Sequence, residues 1–163
     1  MDAKNQKVLD KLKEKFGGII SEANEFRGEL TVVVPKENIV EVCKFLKEDK
    51  ELDFNMLADL CGIDMATSEK RFGVVYNIYS LSNKHRIRLK TFTEENEINA
   101  PTVTGVWETA NWHERETYDM FGIIFDGHPD LRRVYMPEEF EYHPLRKDFP
   151  LMGIPGSLAL PKK

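Results

Sequence analysis

The chain has 163 residues, of which 41% are hydrophobic, and a formal net charge of -5 at pH 7. This is enough apolar material to bury one sizeable core, with nothing that calls for two domains or for disorder. The acidic balance excludes a protein whose main ligand is a nucleic-acid backbone, because that role calls for a basic excess.

In chain order, Val8, Leu9, Leu12 and Phe16 fall at helical spacing before Gly17-Gly18, which predicts an amphipathic helix over residues 3–16. Residues 30–34 are β-branched, predict a strand and end at Pro35, after which Ile39, Val40, Cys43 and Leu46 mark the buried stripe of a second helix. Residues 54–60 predict a further strand, closed by Cys61-Gly62. From Phe72 to Tyr79 both alternating sets are largely apolar, as in a central strand covered on both faces. A turn at Ser82-Asn83-Lys84 makes this strand one arm of a hairpin. The other arm, residues 85–92, sets Ile87 and Leu89 inward and Arg86, Arg88 and Lys90 outward, as in a strand with a wet face and a charge-protected edge. The two cysteines, Cys43 and Cys61, lack the spacing of a zinc knuckle or an iron-sulfur ligand set and read as buried thiols in a reducing compartment. No segment approaches the ~20 apolar residues of a membrane span, and the N-terminus lacks a signal-peptide core, so a soluble cytosolic chain is expected.

If residues 103–121 form one helix, Val103, Val106, Trp107, Ala110, Thr117, Tyr118 and Phe121 share a face with Glu114 in its middle. A carboxylate there needs a partner. One reading pairs Glu114 with Arg132, Arg133 or Arg146; the other is a capping box with Asn111 as N-cap and Glu114 three residues on. Arg115 and Asp119 are spaced to pair along the helix, worth only about 0.5 kcal/mol. Trp112 points away from the stripe and suggests a second buried surface, such as a partner subunit. Gly122 suits a helix C-cap, and Asp126-Gly127 a turn. Beyond it Pro129, Pro137, Pro144, Pro150, Pro155 and Pro161 recur every six to eight residues, which predicts an extended arm. Its apolar anchors, Leu145, Phe149, Leu151, Met152, Ile154, Leu158 and Leu160, suit a strip lying along another protein. The expected architecture is an α+β domain over residues 1–125, a mainly antiparallel sheet with helices on one face, followed by an irregular arm over 126–163.

The segment from Trp112 to Pro150 crowds acids, arginines, histidines, glycines and prolines together, so its chemistry needs a reading. His113, Glu114, His128 and His143 are the candidates for a metal-dependent hydrolase, but no histidine pair has the spacing that puts two ligands on one helix face. No nucleophile elbow, phosphate loop or dinucleotide fingerprint is present. Arg132-Arg133 and Arg146-Lys147 lie near Asp130, Glu138 and Asp148, which favours salt-bridged clamps over an anion site.

The run E-R-E-T-Y-D-M-F-G-I from Glu114, then G-H-P-D-L-R-R from Gly127 and H-P-L-R-K-D-F-P from His143, resembles the 30 kDa subunit family of respiratory NADH:quinone oxidoreductase, the respiratory complex I. The family commonly has Gly where Tyr142 stands. The resemblance implies a subunit of the hydrophilic arm with no redox centre of its own, in a complex that carries FMN, iron-sulfur clusters and quinone. Its partners would be the 49 kDa quinone-site subunit and the subunit with the terminal iron-sulfur cluster, on the cytoplasmic side of the inner membrane. Related hydrogenases and F420H2 dehydrogenases carry similar subunits. The signature residues would then serve docking and clamping: Glu114, Arg115, Glu116, Asp119 and Gly122 on the helix, His128, Pro129, Arg132 and Arg133 after it, and His143, Pro144, Leu145, Arg146, Lys147 and Asp148 in the arm.

Overall fold

The computed structural model describes residues 2–20, 22–66, 69–94 and 96–156. Leu158, Leu160 and Pro161, expected to anchor and pace the arm, lie outside the described residues.

Helix α1, Ala3–Phe16, buries Val8, Leu9, Leu12 and Phe16, as the spacing required. The chain then forms a hairpin that its composition hid: β1, Glu22–Phe26, pairs antiparallel with β2, Glu29–Val33. Its turn places both Arg27 and Gly28 at positive φ, the geometry a tight hairpin needs. Glu-Ala-Asn-Glu-Phe carries no strand signal of its own, and its ladder to β2 supplies the order instead. Helix α2, Ile39–Glu48, buries Ile39, Val42, Cys43 and Leu46. Three long strands follow: β3, Met56–Asp64, β4, Phe72–Ser80, and β5, His85–Thr93. Strand β3 starts two residues later than expected and runs through Cys61-Gly62 instead of ending there.

The sheet order is β1-β2-β5-β4-β3. Strand β5 is therefore not an edge. It pairs antiparallel with β4 and parallel with β2, and the true edges are β1 and β3. Paired residues share a face, so Leu30, Val32, Ile87, Leu89, Val74, Tyr76, Ile78 and Leu60 form one apolar surface, and all are buried. Both helices pack on it. The expectation that β4 is covered on both faces holds for its first half only: the opposite face buries Gly73 and Val75, but leaves Asn77, Tyr79 and Arg88 half-buried and Arg86 exposed. A hydrogen-bonded polar row crosses it, in which Arg88 donates to Glu29 and Asn77, and Asn77 donates to Asp59.

Residues 103–109 form turns, not the start of a helix, and α3 is Ala110–Phe121. Gly105 and the bonds from Val106 N and Trp107 N back to Val103 O mark the irregular lead-in. A two-stranded parallel ribbon of β6, Asn99–Pro101, and β7, Ile124–Asp126, flanks α3 at both ends. Helix α3 crosses the sheet at Gly62, where a Cβ would sit 2.6 Å from the Phe121 ring and 3.0 Å from Thr117 Cγ2. That absent side chain lets α3 approach the strand.

Candidate functional site

Two carboxylates on α3, five residues apart, organise everything around them. Glu114 is wholly buried, and it meets no arginine. Its Oε1 accepts from Val103 N at 2.8 Å and its Oε2 from the Thr102 hydroxyl at 2.5 Å, so it caps the turn before its own helix. Thr109, not Asn111, precedes the helix, and the capping box does not form. His128 packs behind, its Nε2 3.9 Å from Glu114 Oε2. The His128 Nδ1 accepts from Asp130 N, which leaves Nε2 to donate to the Asn111 carbonyl. Burial pushes the Glu114 carboxyl up to about 7, against the two donors. Its charge in turn adds to burial in raising the Tyr76 hydroxyl and the Cys43 thiol behind it.

Asp119 does the opposite. Its Oδ2 accepts three successive backbone N–H groups, from Val134, Tyr135 and Met136 at 2.7 to 3.0 Å, and its Oδ1 takes the Arg133 guanidinium at 2.7 Å. Burial alone would raise this carboxyl, but the backbone donors and Arg133 outweigh it and hold the carboxyl below its ordinary value. Arg115 does not pair with Asp119. It donates to the carbonyls of Arg132 and Arg133 and stacks on Trp112 at 4.6 Å. Helix α3 therefore grips the segment 132–136 with one acid and one arginine, and Trp112 stays 64% exposed on the outer face.

Further along, the arm folds back over the C-terminus of α3. Gly122 sits at φ +76 and closes the helix with its N–H on Tyr118 O. Arg146 Nε donates to the Phe121 carbonyl, His143 Nδ1 to the Asp119 carbonyl, and Leu145 N to the Met120 carbonyl. These are the carbonyls a helix end leaves without partners. A second clamp reaches the sheet: Asp64, with its side chain shut off from solvent, pairs with Arg71 at 3.0 Å and accepts from Lys147 N at 2.8 Å, while Arg71 also holds Asp148 at 2.8 Å. The Arg71 guanidinium, against burial and with help from Lys147 N and Ala66 N, lowers the Asp64 carboxyl to about 2. Arg71 and Arg146 both lie over the Phe72 ring.

The family model described as "Respiratory-chain NADH dehydrogenase, 30 Kd subunit" matches residues 32–155. The chain belongs to this family. A NADH-quinone oxidoreductase subunit from Geotalea uraniireducens (strain Rf4) is 55% identical over 151 residues, 93% of this chain and 91% of the relative. A trypsin-resistant fragment of Nqo5 shares the fold at a TM-score of 0.66 with 36% identity, over 78% of this chain and 99% of that one. A chain of the membrane-bound sulfane sulfur reductase, an archaeal respiratory membrane complex, superposes at a TM-score of 0.77 over 91% of this chain and 87% of that one, and at 23% identity it speaks to the fold alone.

Most of the family signature therefore acts within the chain. Of the expected signature residues, Glu114, Arg115, Asp119 and Arg133 are interior or nearly so, Gly122, His143, Arg146 and Lys147 close the helix end and the sheet corner, and Glu116 and Arg132 face outward, Arg132 on Asp130 at 3.0 Å. Pro129 and Pro144 follow His128 and His143 and keep both segments out of helix. Tyr142 is not among the residues at positive φ, so the departure from the family's Gly costs no strained backbone. Sequence reasoning missed Asp64 and Arg71. Their only signal was an acid and an arginine flanking the β3–β4 connection.

His113 lies beside Asp59 at 3.6 Å, His128 beside Glu114 and His143 on Asp119 O, so the three histidines occupy separate places. Among the described residues no three His, Cys, Asp or Glu side chains converge on a metal position. Cys43 is buried on the inner face of α2 while Cys61 is exposed, contrary to the expected pair of buried thiols, and two cysteines so placed do not fit an iron-sulfur cluster. No described helix is long and apolar enough to cross a membrane.

Gly122→Ala has a direct consequence. A Cβ there would collide with the Arg146 guanidinium, lie 2.6 Å from His143 Nε2 and hold the left-handed backbone at a penalty. We expect a stability loss of roughly 2 kcal/mol, read as a lower midpoint in urea unfolding of the isolated chain. An unchanged midpoint would show that the arm does not seat on this helix end.

Proposed function

We propose that the chain is a subunit without an active site of its own, placed in the hydrophilic arm of a proton-translocating NADH:quinone oxidoreductase on the cytoplasmic side of the membrane. It docks against the 49 kDa quinone-site subunit and the subunit with the terminal iron-sulfur cluster. FMN, the clusters and quinone belong to its neighbours, and this chain holds their geometry. The domain over residues 1–125 is the scaffold, and the arm from 126 onward is the part that contacts partners.

The observation that carries this reading is the use made of the charged signature. Carboxylates and arginines that could have served catalysis are spent on fastening the arm, which buries Phe140 but leaves other large apolar side chains outward: Tyr135 is 61% exposed, Leu145 54% and Leu151 100%. Polar groups turned in and large apolar groups turned out mark a surface built to be covered.

A tagged chain recovered from its host in mild detergent should bring down an iron-sulfur flavoprotein assembly with NADH:quinone activity. Recovery of the chain alone would overturn the proposal. Recovery of an assembly that oxidises hydrogen or reduced F420 instead of NADH would assign the chain to the related complexes.

A further inference from the structure

We infer that the free edge of β3 and the adjoining side of α3 form a receptor groove for an extended segment of a partner protein, one that presents an apolar side chain next to a lysine or arginine. The inference rests on the docking reading above and names a surface for it to which the C-terminal arm contributes only Leu145.

The sheet leaves an unusual edge open. Strand β3 is nine residues long and ends the sheet, paired with β4 on one side only. Among the described residues no backbone hydrogen bond other than the β4 ladder reaches residues 57–63. Exposed edges are ordinarily blunted by shortness, proline, charge (lysine above all) or a β-bulge. The other edge, β1, has five residues with Glu22 and Glu25 among them. Strand β3, Met-Leu-Ala-Asp-Leu-Cys-Gly-Ile-Asp, has neither proline nor lysine, and its irregularity is confined to Leu57/Asp59, so the regular ladder over residues 59–64 is a template for an added strand.

A cavity of about 180 Å³ opens beside it. Four successive strand residues, Asp59 to Gly62, bound the cavity. Successive side chains point to opposite faces, so a space that touches all four lies along the edge of the strand and not above either face. The far wall is α3, through Met120 and Phe121, and Leu145 of the arm closes one end. The floor is thus apolar and has room for one side chain of leucine or methionine size. Added backbone hydrogen bonds would give the segment affinity, and this pocket would select its side chain.

The rim supplies the sign of the charge. Asp59 and Glu116 flank the cavity from the strand and the helix, and among the described residues neither pairs with a lysine or an arginine. Burial, Asp59 and Glu116 all raise the Cys61 thiol between them, against Arg88. A segment carrying lysine or arginine meets this field favourably. A second copy of the chain does not: antiparallel pairing of β3 with itself would bring like acids together across the two-fold axis.

Cys61 reports on the groove directly, with buried Cys43 as the internal control. In the isolated chain iodoacetamide should alkylate Cys61 and spare Cys43. In the assembled complex Cys61 should react at least tenfold more slowly. A p-benzoylphenylalanine introduced at Met120 should crosslink, within the complex, to a partner peptide with an apolar residue adjacent to lysine or arginine. Glu116→Lys should reduce recovery of the complex at low salt without shifting the thermal unfolding of the isolated chain. If the chain co-purifies with the complex while Cys61 keeps its full reactivity, or if the crosslink joins two copies of this chain, the groove assignment is wrong and the docking reading stands. If the chain fails to co-purify with any complex, both fall.

Discussion

Asp119→Ala is expected to unlatch the arm and to lower the stability of the isolated chain by roughly 3 to 5 kcal/mol, the range for breaking a buried ion pair from one side. The substitution takes from the Arg133 guanidinium the acid that it holds, and three consecutive N–H groups, from Val134 to Met136, lose the Asp119 oxygen that accepts from them all. Buried donors without acceptors carry their full desolvation cost. The loss should be visible twice, as a lower urea midpoint by circular dichroism and as faster tryptic cleavage after Arg132, Arg133, Arg146 or Lys147. Equal midpoints and equal cleavage would mean that the arm is held elsewhere. The pH sign follows from the lowered carboxyls of Asp119 and Asp64. Their contribution is present above the ordinary carboxylate range and is lost as pH falls from there through their lowered values in the fold, about 2 for Asp64, so the clamp weakens in acid.

Glu114→Gln should remove a pH dependence of opposite sign. The Glu114 carboxyl stands at about 7 in the fold against an ordinary 4.5. The folded chain therefore binds this proton more tightly than the unfolded one. Stability from this group is complete below about pH 4.5 and declines as pH rises through 7, a span of about 3 kcal/mol. The groups facing it are Thr102 and Val103 from the preceding turn, His128 from the segment after β7, and Tyr76 and Cys43 from β4 and α2. Glutamine fills the same space without the ionised form: its oxygen can accept from Val103 N and its amide can donate to the Thr102 hydroxyl. The variant should gain stability relative to the parent at pH 8 and match it below the ordinary carboxylate value of 4.5, with the slope from there to about 7 gone. Parallel stability curves for the two proteins would refute the assignment.

Three features explain why much of the fold is legible in the sequence. The 3.6-residue spacing of Val8, Leu12 and Phe16, the apolar stripe of α2 and the alternation through β4 and β5 are local patterns, and each element formed where its pattern lay. The density of Gly and Pro around Gly122 and Pro129 marked a helix stop and an irregular arm for the same reason. Local patterns fail where partners decide. Strand β1, with three polar residues in five and no β-branched residue, owes its existence to β2; β5 looked like an edge because Arg86, Arg88 and Lys90 alternate outward, yet their outward side is an open face of the sheet and not its margin. A one-dimensional pattern distinguishes the two faces of a strand but not which strands flank it.

The same division runs through the site. By itself the sequence determined the α+β class, the family and the residues that carry its signature, because E-R-E-T-Y-D-M-F-G and H-P-L-R-K-D are contiguous strings whose identity needs no coordinates. Only the tertiary structure decided what those residues touch. Spacing on a helix suggested that Arg115 pairs with Asp119 and that Glu114 seeks an arginine. The fold offered stronger partners: backbone donors at 132–136 for Asp119, carbonyls of the same segment for Arg115, and the turn at Thr102 and Val103 for Glu114. A buried charge takes whichever set of donors desolvates with it, and that set is assembled from segments distant in sequence. Asp64 and Arg71 show this most plainly, since their clamp on Asp148 and Lys147 joins positions about eighty residues apart.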